Sequence, residues 1–370
     1  MDQAIDTRES MPLIWCSISG HGYGHAAQVL PVLNELARRV QRLTAILRTS
    51  VPASFFEGRL VLDWKLSPAE QDIGCVQHGP LKIDAAATWT EHIRFHRLWD
   101  VKLDDEVRAI RTAKPDLVLS DISYLATAAG AQAGVPTVAL GSLSWDLVLD
   151  EFRDRSIPEH QTIIDKIRRA YGAADVLLRA MPGLDMDAFR RIVDIGPIAQ
   201  TLEPKPAELR RAVRASPAER LVLVGFGGIP LASLPLQRLE ELSGYRFIFD
   251  GSVSAPLSRI HAAGQLPFRF NTLLASTDLL VSKPGYSTVI EAVAQHKPLV
   301  YVRRYNFPDE GPLVDFLHRY GRGAELLMDD FVAGRWEKAL EAAWTAPEPP
   351  ASAPQPTGAA DAAEILARYL

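Results

Sequence analysis

One short pattern limits the possible folds of this chain more than any other: an apolar run that stops at glycines and restarts as a helix. Pro12-Leu13-Ile14-Trp15-Cys16-Ser17-Ile18-Ser19 ends in Gly20-His21-Gly22-Tyr23-Gly24-His25. Behind it Val29, Leu30, Leu33, Leu36, Ala37 and Val40 recur at helical spacing. The unit recurs where Leu221-Val222-Leu223-Val224 runs into Gly225-Phe226-Gly227-Gly228, and again where Asp278-Leu279-Leu280-Val281-Ser282 meets Lys283-Pro284-Gly285-Tyr286-Ser287-Thr288. A buried strand followed by a glycine turn and a helix is the building unit of a parallel α/β sheet.

The rest of the chain repeats this grammar. Strands are expected at Leu43–Leu47, Leu60–Trp64, Pro115–Asp121, Val135–Leu140 and Val176–Leu178, with helices over Glu91–Ala113, Ala126–Gln132 and Glu159–Tyr171. Gln71–Thr90 has no period and reads as a long loop. At 370 residues the chain is too long for one ordinary core. The expected division is a disordered segment 1–10, a Rossmann-like domain 11–202, a Pro- and Arg-rich linker 203–217, a second Rossmann-like domain 218–346, and a Pro-rich segment with a final helix at 347–370, crossing back to the first domain.

Charge and cysteine content exclude several classes. The net charge of -5 argues against nucleic acid as partner, because a phosphate-backbone binder carries a basic excess. Arg38-Arg39, Arg168-Arg169, Arg190-Arg191 and Arg210-Arg211 read as solvated helix faces rather than a membrane contact. Cys16 and Cys75 are expected as reduced thiols. The acidic start, Met1-Asp2-Gln3-Ala4-Ile5-Asp6, lacks the apolar core of a secretory signal, and no stretch is long enough to span a bilayer, so the expected compartment is the cytoplasm.

The chemistry concentrates around Gly285. Ser287 or Thr288 is suited to cap the helix that follows, and amides of its first turn suit a diphosphate. Glu291 sits one turn in, within reach of ribose hydroxyls. An ordinary capped helix with a surface Glu is the competing reading.

The stretch from Asp278 to Tyr301 resembles the donor-binding motif of GT-B glycosyltransferases, the superfamily of the peptidoglycan N-acetylglucosaminyltransferase and the UDP-glycosyltransferases. The resemblance implies two Rossmann-like domains facing across a cleft. It implies that Gly285, Tyr286, Ser287 and Thr288 hold the diphosphate of a nucleotide-sugar, UDP-sugar favoured, and that Glu291 binds ribose. Ser19–Gln28 is similar to the opening loop of predicted glycosyltransferases related to the L-arabinokinase N-terminal region. By that similarity His25 is the general base and Asp121 the carboxylate that orients it. A hydroxyl nucleophile needs such an imidazole, and the carboxylate fixes its tautomer. Gly227 and Gly228 are expected near the donor phosphates, and Phe270 near the nucleobase or in the core. Asp309 and Glu310 stand where related enzymes bind sugar hydroxyls with an Asp/Glu-Gln pair; Gly311 replaces the Gln. His21, Tyr23, His78, Trp145 and Asp146 are the acceptor-side candidates. His21 and His25 have a metal-like spacing but no ligand set around them, so neither a metal nor a cofactor is expected. A nucleotide-sugar hydrolase, a hydrolysing epimerase and a non-catalytic nucleotide-sugar binder stay open as alternatives.

Overall fold

The computed structural model describes residues 11–79, 81–226, 234–251, 253 and 257–370. The expectations for residues 1–10, for Gly227 and for Gly228 lie outside these residues.

Thirteen strands form two sheets among the described residues, every pairing parallel. The first contains β1 (Leu13–Ile18), β2 (Thr44–Arg48), β3 (Asp63–Leu66), β4 (Leu117–Asp121), β5 (Thr137–Gly141), β6 (Val176–Ala180) and β7 (Ile192–Ile195), in the order β3-β2-β1-β4-β5-β6-β7. The second contains β8 (Arg220–Val224), β9 (Tyr245–Phe249), β10 (Ile260–Ala262), β11 (Leu279–Ser282), β12 (Leu299–Tyr301) and β13 (Gly323–Glu325), in the order β10-β9-β8-β11-β12-β13. Both orders reverse direction once, between β1 and β4 and between β8 and β11. At such a switch point the two loops leave toward opposite faces and open a crevice at the carboxyl ends of the strands.

Successive side chains of a strand point to opposite faces, so a sheet covered on both sides needs apolar residues at nearly every position. Ile14, Cys16 and Ile18 of β1 pack with Val29, Leu33 and Leu36 of the helix Tyr23–Arg39, while Trp15 packs against Val107 and Ile110 on the other face. In the second sheet Val222, Val224, Phe247 and Val281 face one core, and Leu221, Leu223, Ile248 and Leu280 face another. Each fully buried aliphatic of this kind is worth about 1.5–3 kcal/mol.

The chain end returns to the first domain. In the helix Gly358–Leu366, Ala359, Ala362, Ala363 and Leu366 are buried against the core that the helix Tyr23–Arg39 also covers. Asp361 accepts the Gly196 amide at 2.9 Å and the Thr357 hydroxyl at 2.8 Å, pinning that helix to the loop after β7. A side chain at Gly358 would collide with the Gly196 carbonyl, so glycine is needed at this crossing.

Several local expectations are revised. The helix expected over Glu91–Ala113 is two helices, Ala85–Arg97 and Trp99–Ala113, broken at Leu98. It begins early because Asp84 accepts the Ala87 amide at 2.8 Å, a cap that shortens the expected long loop. Strand β3 lies three residues beyond its expected start. Inside the 203–217 segment a helix, Pro206–Ala212, buries Leu209 with Val213, Leu221 and Leu223. Cys16 and Cys75 are both buried and unbonded. Among the described residues no helix is long and apolar enough to cross a membrane.

Candidate active site

The two switch points face each other across one cleft of about 740 Å³, solvent at its mouth included. From the first domain it is lined by His21–His25, Gln28, Ser142 and Leu143. From the second it is lined by Ser282, Lys283, Gly285–Thr288, Arg304, Phe307 and Asp309. Two helices begin at its walls, Tyr23–Arg39 and Tyr286–Ala294, each with a glycine at the cap position and no side-chain cap. Gly22 has φ 81°, a conformation glycine adopts freely. First-turn amides of a helix have no intrahelical acceptor and carry the positive end of its dipole, so both walls favour an anion.

Ser287 and Thr288 do not cap their helix. Gly285 is the N-cap, the two hydroxyl residues fall inside the first turn, and the Ser287 hydroxyl donates to the Gly24 carbonyl at 3.3 Å across the cleft. Tyr286 also joins the domains: its hydroxyl accepts the Ile198 amide at 3.1 Å and donates to the Met181 carbonyl at 3.0 Å.

His25 lies on the first-domain wall with 13% of its side chain exposed, and its Nδ1 is 3.1–3.2 Å from both oxygens of the buried Asp121 carboxylate. The carboxylate only accepts, so Nδ1 carries the proton and Nε2 keeps its lone pair. Burial by itself would lower the pKa of this imidazole, but the Asp121 charge and hydrogen bond outweigh it and hold the value above the ordinary 6.5.

A second carboxylate, which sequence reasoning missed, stands behind this pair. Asp72 is buried and accepts from the Ser19 hydroxyl at 3.0 Å and from the Trp145 indole at 3.1 Å. Ser19 meanwhile donates its amide to Asp121 at 3.3 Å, so one serine links both acids. Burial pushes Asp72 up to about 7, against the pull of His25, Trp145 and Ser19. Its loop carries no pattern that would have marked it.

The other first-domain candidates divide. His21 and Tyr23 line the cleft. His21 accepts the Cys75 amide on Nδ1 at 3.2 Å and lies 2.9 Å from Gln77 through Nε2, and burial holds its pKa well below the ordinary value. It is a neutral clamp on the Gly74–Gln77 loop. Trp145 does not offer an open face to an acceptor. It is fully buried, edge-on to His21 at 5.1 Å, because its indole N–H is drawn in by Asp72. Asp146 is 1% exposed and engaged by Ser144 at 2.5 Å and Arg168 at 2.8 Å. His78 is 65% exposed and paired with Asp84 outside the cleft.

On the second-domain wall Lys283 is the main residue sequence reasoning passed over, although it sits inside the motif, at the end of β11. It lines the cleft, and burial with the neighbouring Arg304 charge brings its amine down to about 8. Asp309 also lines the cleft, with Oδ1 buried and without a hydrogen-bond partner among the described residues; burial raises it to about 6. Glu310 is turned away. Its Oε1 takes Arg304 Nε at 2.6 Å and its Oε2 the amides of Arg304 and Tyr305, which leaves it fully buried.

Glu291 is 4% exposed and accepts from Asn271 at 3.1 Å and the Gln200 amide at 3.4 Å; burial raises its carboxyl to about 8. Asn271 and Phe270 line a second cleft that shares Tyr23 with the first. Among the described residues no three His, Cys, Asp or Glu side chains gather as metal ligands.

No family model matches the chain. A curated relative, the L-arabinokinase of Arabidopsis thaliana, is 27% identical over 331 residues, 88% of this chain, and the chain spans 31% of that protein's length. The solved structure of the calicheamicin glycosyltransferase CalG4 superposes with a TM-score of 0.59 at 17% identity, over 97% of this chain and 94% of that one. SnogD, a glycosyltransferase from Streptomyces nogalater, gives 0.55 at 18% identity over 98% and 100%. Arabidopsis thaliana UGT89C1 complexed with UDP gives 0.56 at 13% identity over 96% and 94%. With its two parallel sheets, the chain has the fold of the GT-B glycosyltransferases.

Proposed function

We propose that this chain, with its GT-B fold, transfers a sugar from a nucleoside-diphosphate sugar, UDP-sugar favoured, to a hydroxyl acceptor. The carrying observation is that His25, tied to Asp121, and the first-turn amides after Gly285 line the same cleft. His25 Nε2 takes the acceptor's hydroxyl proton as that oxygen bonds to the anomeric carbon. The bond from that carbon to the β-phosphate oxygen breaks, and its electron pair leaves with the nucleoside diphosphate. Asp121 holds the resulting imidazolium. The leaving charge falls on the amides of Tyr286, Ser287 and Thr288 and on Lys283, groups fixed before the reaction begins, in the place a metal ion takes elsewhere. Glu291 is assigned to the ribose and Asp309 to a sugar hydroxyl.

One observation favours a second reading, hydrolysis of the donor. Trp145, Asp146 and His78 do not line the cleft, so of the expected acceptor contacts only His21 and Tyr23 stand beside His25, a setting that suits water as acceptor. The test is turnover of a UDP-sugar panel with and without hydroxyl acceptors, in EDTA. Acceptor-dependent UDP release supports transfer, and equal free-sugar release without acceptor supports hydrolysis. Binding with no turnover of any donor sinks both.

A further inference from the structure

Asp72 is placed with more care than the proposed reaction so far explains. Its loop has no periodic pattern, yet five consecutive residues, Gln71 to Cys75, are each held by a side chain from elsewhere in the first domain. The Ser17 hydroxyl donates to Gln71 at 3.3 Å and the Ser19 hydroxyl to Asp72 at 3.0 Å. The Ile73 amide donates to the Tyr124 hydroxyl at 3.0 Å, His92 Nε2 donates to the Gly74 carbonyl at 3.2 Å, and the Cys75 amide donates to His21 Nδ1. A side chain at Gly74 would overlap the His21 ring, so glycine lets the loop run this close.

A buried carboxylate is costly unless its partners compensate it, and the two donors on Asp72, the Ser19 hydroxyl and the Trp145 indole, are both neutral. Those same two residues join it to the base. Ser19 also gives its amide to Asp121, and the Trp145 ring packs 5.9 Å from the His25 ring. On its far side Asp72 lines a cavity of about 690 Å³, solvent at its mouth included, so water reaches the carboxyl. The titratable groups around it are His21 and His25 from the segment after β1, Asp121 from β4, Tyr124, Tyr171, Cys75, Glu70 and Glu91. Burial keeps His21, both tyrosines and the Cys75 thiol uncharged. Glu70 pairs with Arg94 and Lys102, and Glu91 with Arg94. That leaves His25 as the group whose positive charge answers Asp72. Burial acts first on both; after it the His25 charge lowers Asp72, and Asp121 and then Asp72 raise His25.

We infer that Asp72 is a second positioning carboxylate for the base: through Ser19 and Trp145 it fixes the Asp121–His25 pair, and its charge joins that of Asp121 in holding the imidazolium formed during transfer. The inference rests on the transfer reading above. As the acceptor oxygen bonds to the anomeric carbon, its proton moves to His25 Nε2, and a positive charge appears on a nearly buried ring. Lys283, in the opposite wall of the cleft, opposes that charge. Asp121 answers it by direct contact. Asp72 adds a second negative charge behind the ring, fixed in place before the reaction begins.

The test is nuclear magnetic resonance of the full chain with ring-labelled histidine, the His25 signal assigned from His25→Gln, so that its titration midpoint is read without turnover. Asp72→Asn removes the charge and keeps the shape; Ser19→Ala keeps both carboxylates and removes their link, at a site small enough to leave the fold intact. Asp72→Asn should move the His25 midpoint to lower pH, and Ser19→Ala should move it the same way by less. In Asp72→Asn kcat should fall about tenfold with UDP affinity by calorimetry unchanged. A purely structural role predicts a lower Tm in both variants with the midpoint unmoved. An unmoved midpoint in both overturns the inference while leaving the transfer reading standing, and so does a moved midpoint with unchanged kcat. A moved midpoint in a chain that turns over no donor overturns the transfer reading, and with it the role given to Asp72.

Discussion

His25 and Asp121 are 96 residues apart in the chain, yet their side chains meet at 3.1 Å. The register of two neighbouring strands causes this. Ile18, the last residue of β1, pairs with Asp121, the last residue of β4, and the loop after β1 then turns His25 back over that point.

If His25 is the base, His25→Ala should lower kcat about 10²- to 10⁴-fold. UDP affinity by calorimetry should hardly change, because the diphosphate amides are on the other domain. Equal loss of turnover and binding would mean that His25 only supports the cleft.

The same pair sets the pH profile. His25 works as the neutral imidazole, and Asp121 holds its pKa above 6.5, so kcat/KM should rise with pH to a plateau with a midpoint above 6.5. In Asp121→Asn burial acts without the opposing charge, so the midpoint should move to lower pH while plateau kcat falls. An unmoved midpoint in the variant would detach the profile from His25.

Glu291 makes a stability prediction. Its carboxyl titrates at about 8 folded and near 4.5 unfolded, so between these values the folded state binds the extra proton. Stability from this group therefore falls as pH rises through that window, by about 1.4 kcal/mol per unit as an upper bound. Glu291→Gln should raise Tm more at pH 8 than at pH 5. A Tm difference independent of pH would show that the carboxylate is not desolvated.

Lys283 pairs a binding cost with a stability gain. Its folded value of about 8 lies below the ordinary 10.5, so the folded state binds fewer protons between the two, and stability from this amine rises with pH there. Lys283→Met should weaken pyrophosphate binding about tenfold, the size of a lost charge-assisted hydrogen bond, and raise Tm at neutral pH. Unchanged pyrophosphate affinity would remove Lys283 from the diphosphate site.

The returning C-terminal helix is tested by Leu366→Ala. The fully buried side chain leaves a cavity against the first-domain core, and urea unfolding should show a loss of about 2–4 kcal/mol. A loss below 0.5 kcal/mol would mean that the helix contributes little to that core.

What the sequence by itself determined is local. Apolar runs at Leu13–Ile18 and Leu279–Ser282, each closed by glycine and followed by a helical period, specify strand, turn and helix within about fifteen residues, because those preferences come from neighbours in the chain. Two sheets and the two glycine walls of the cleft follow from them. Missed local signals were of the same kind: Asp84 before three alanines was a readable cap, and Lys283 was visible within its motif. Tertiary structure alone decided which polar groups share a space. Trp145 and Asp146 are buried because Asp72 and Arg168, distant in sequence, supply their partners; Glu310 turns inward because Arg304 occupies it; and Ser287 meets Gly24 only where two domains close. Such contacts depend on strand register and domain apposition, and no periodicity along a chain encodes those distances.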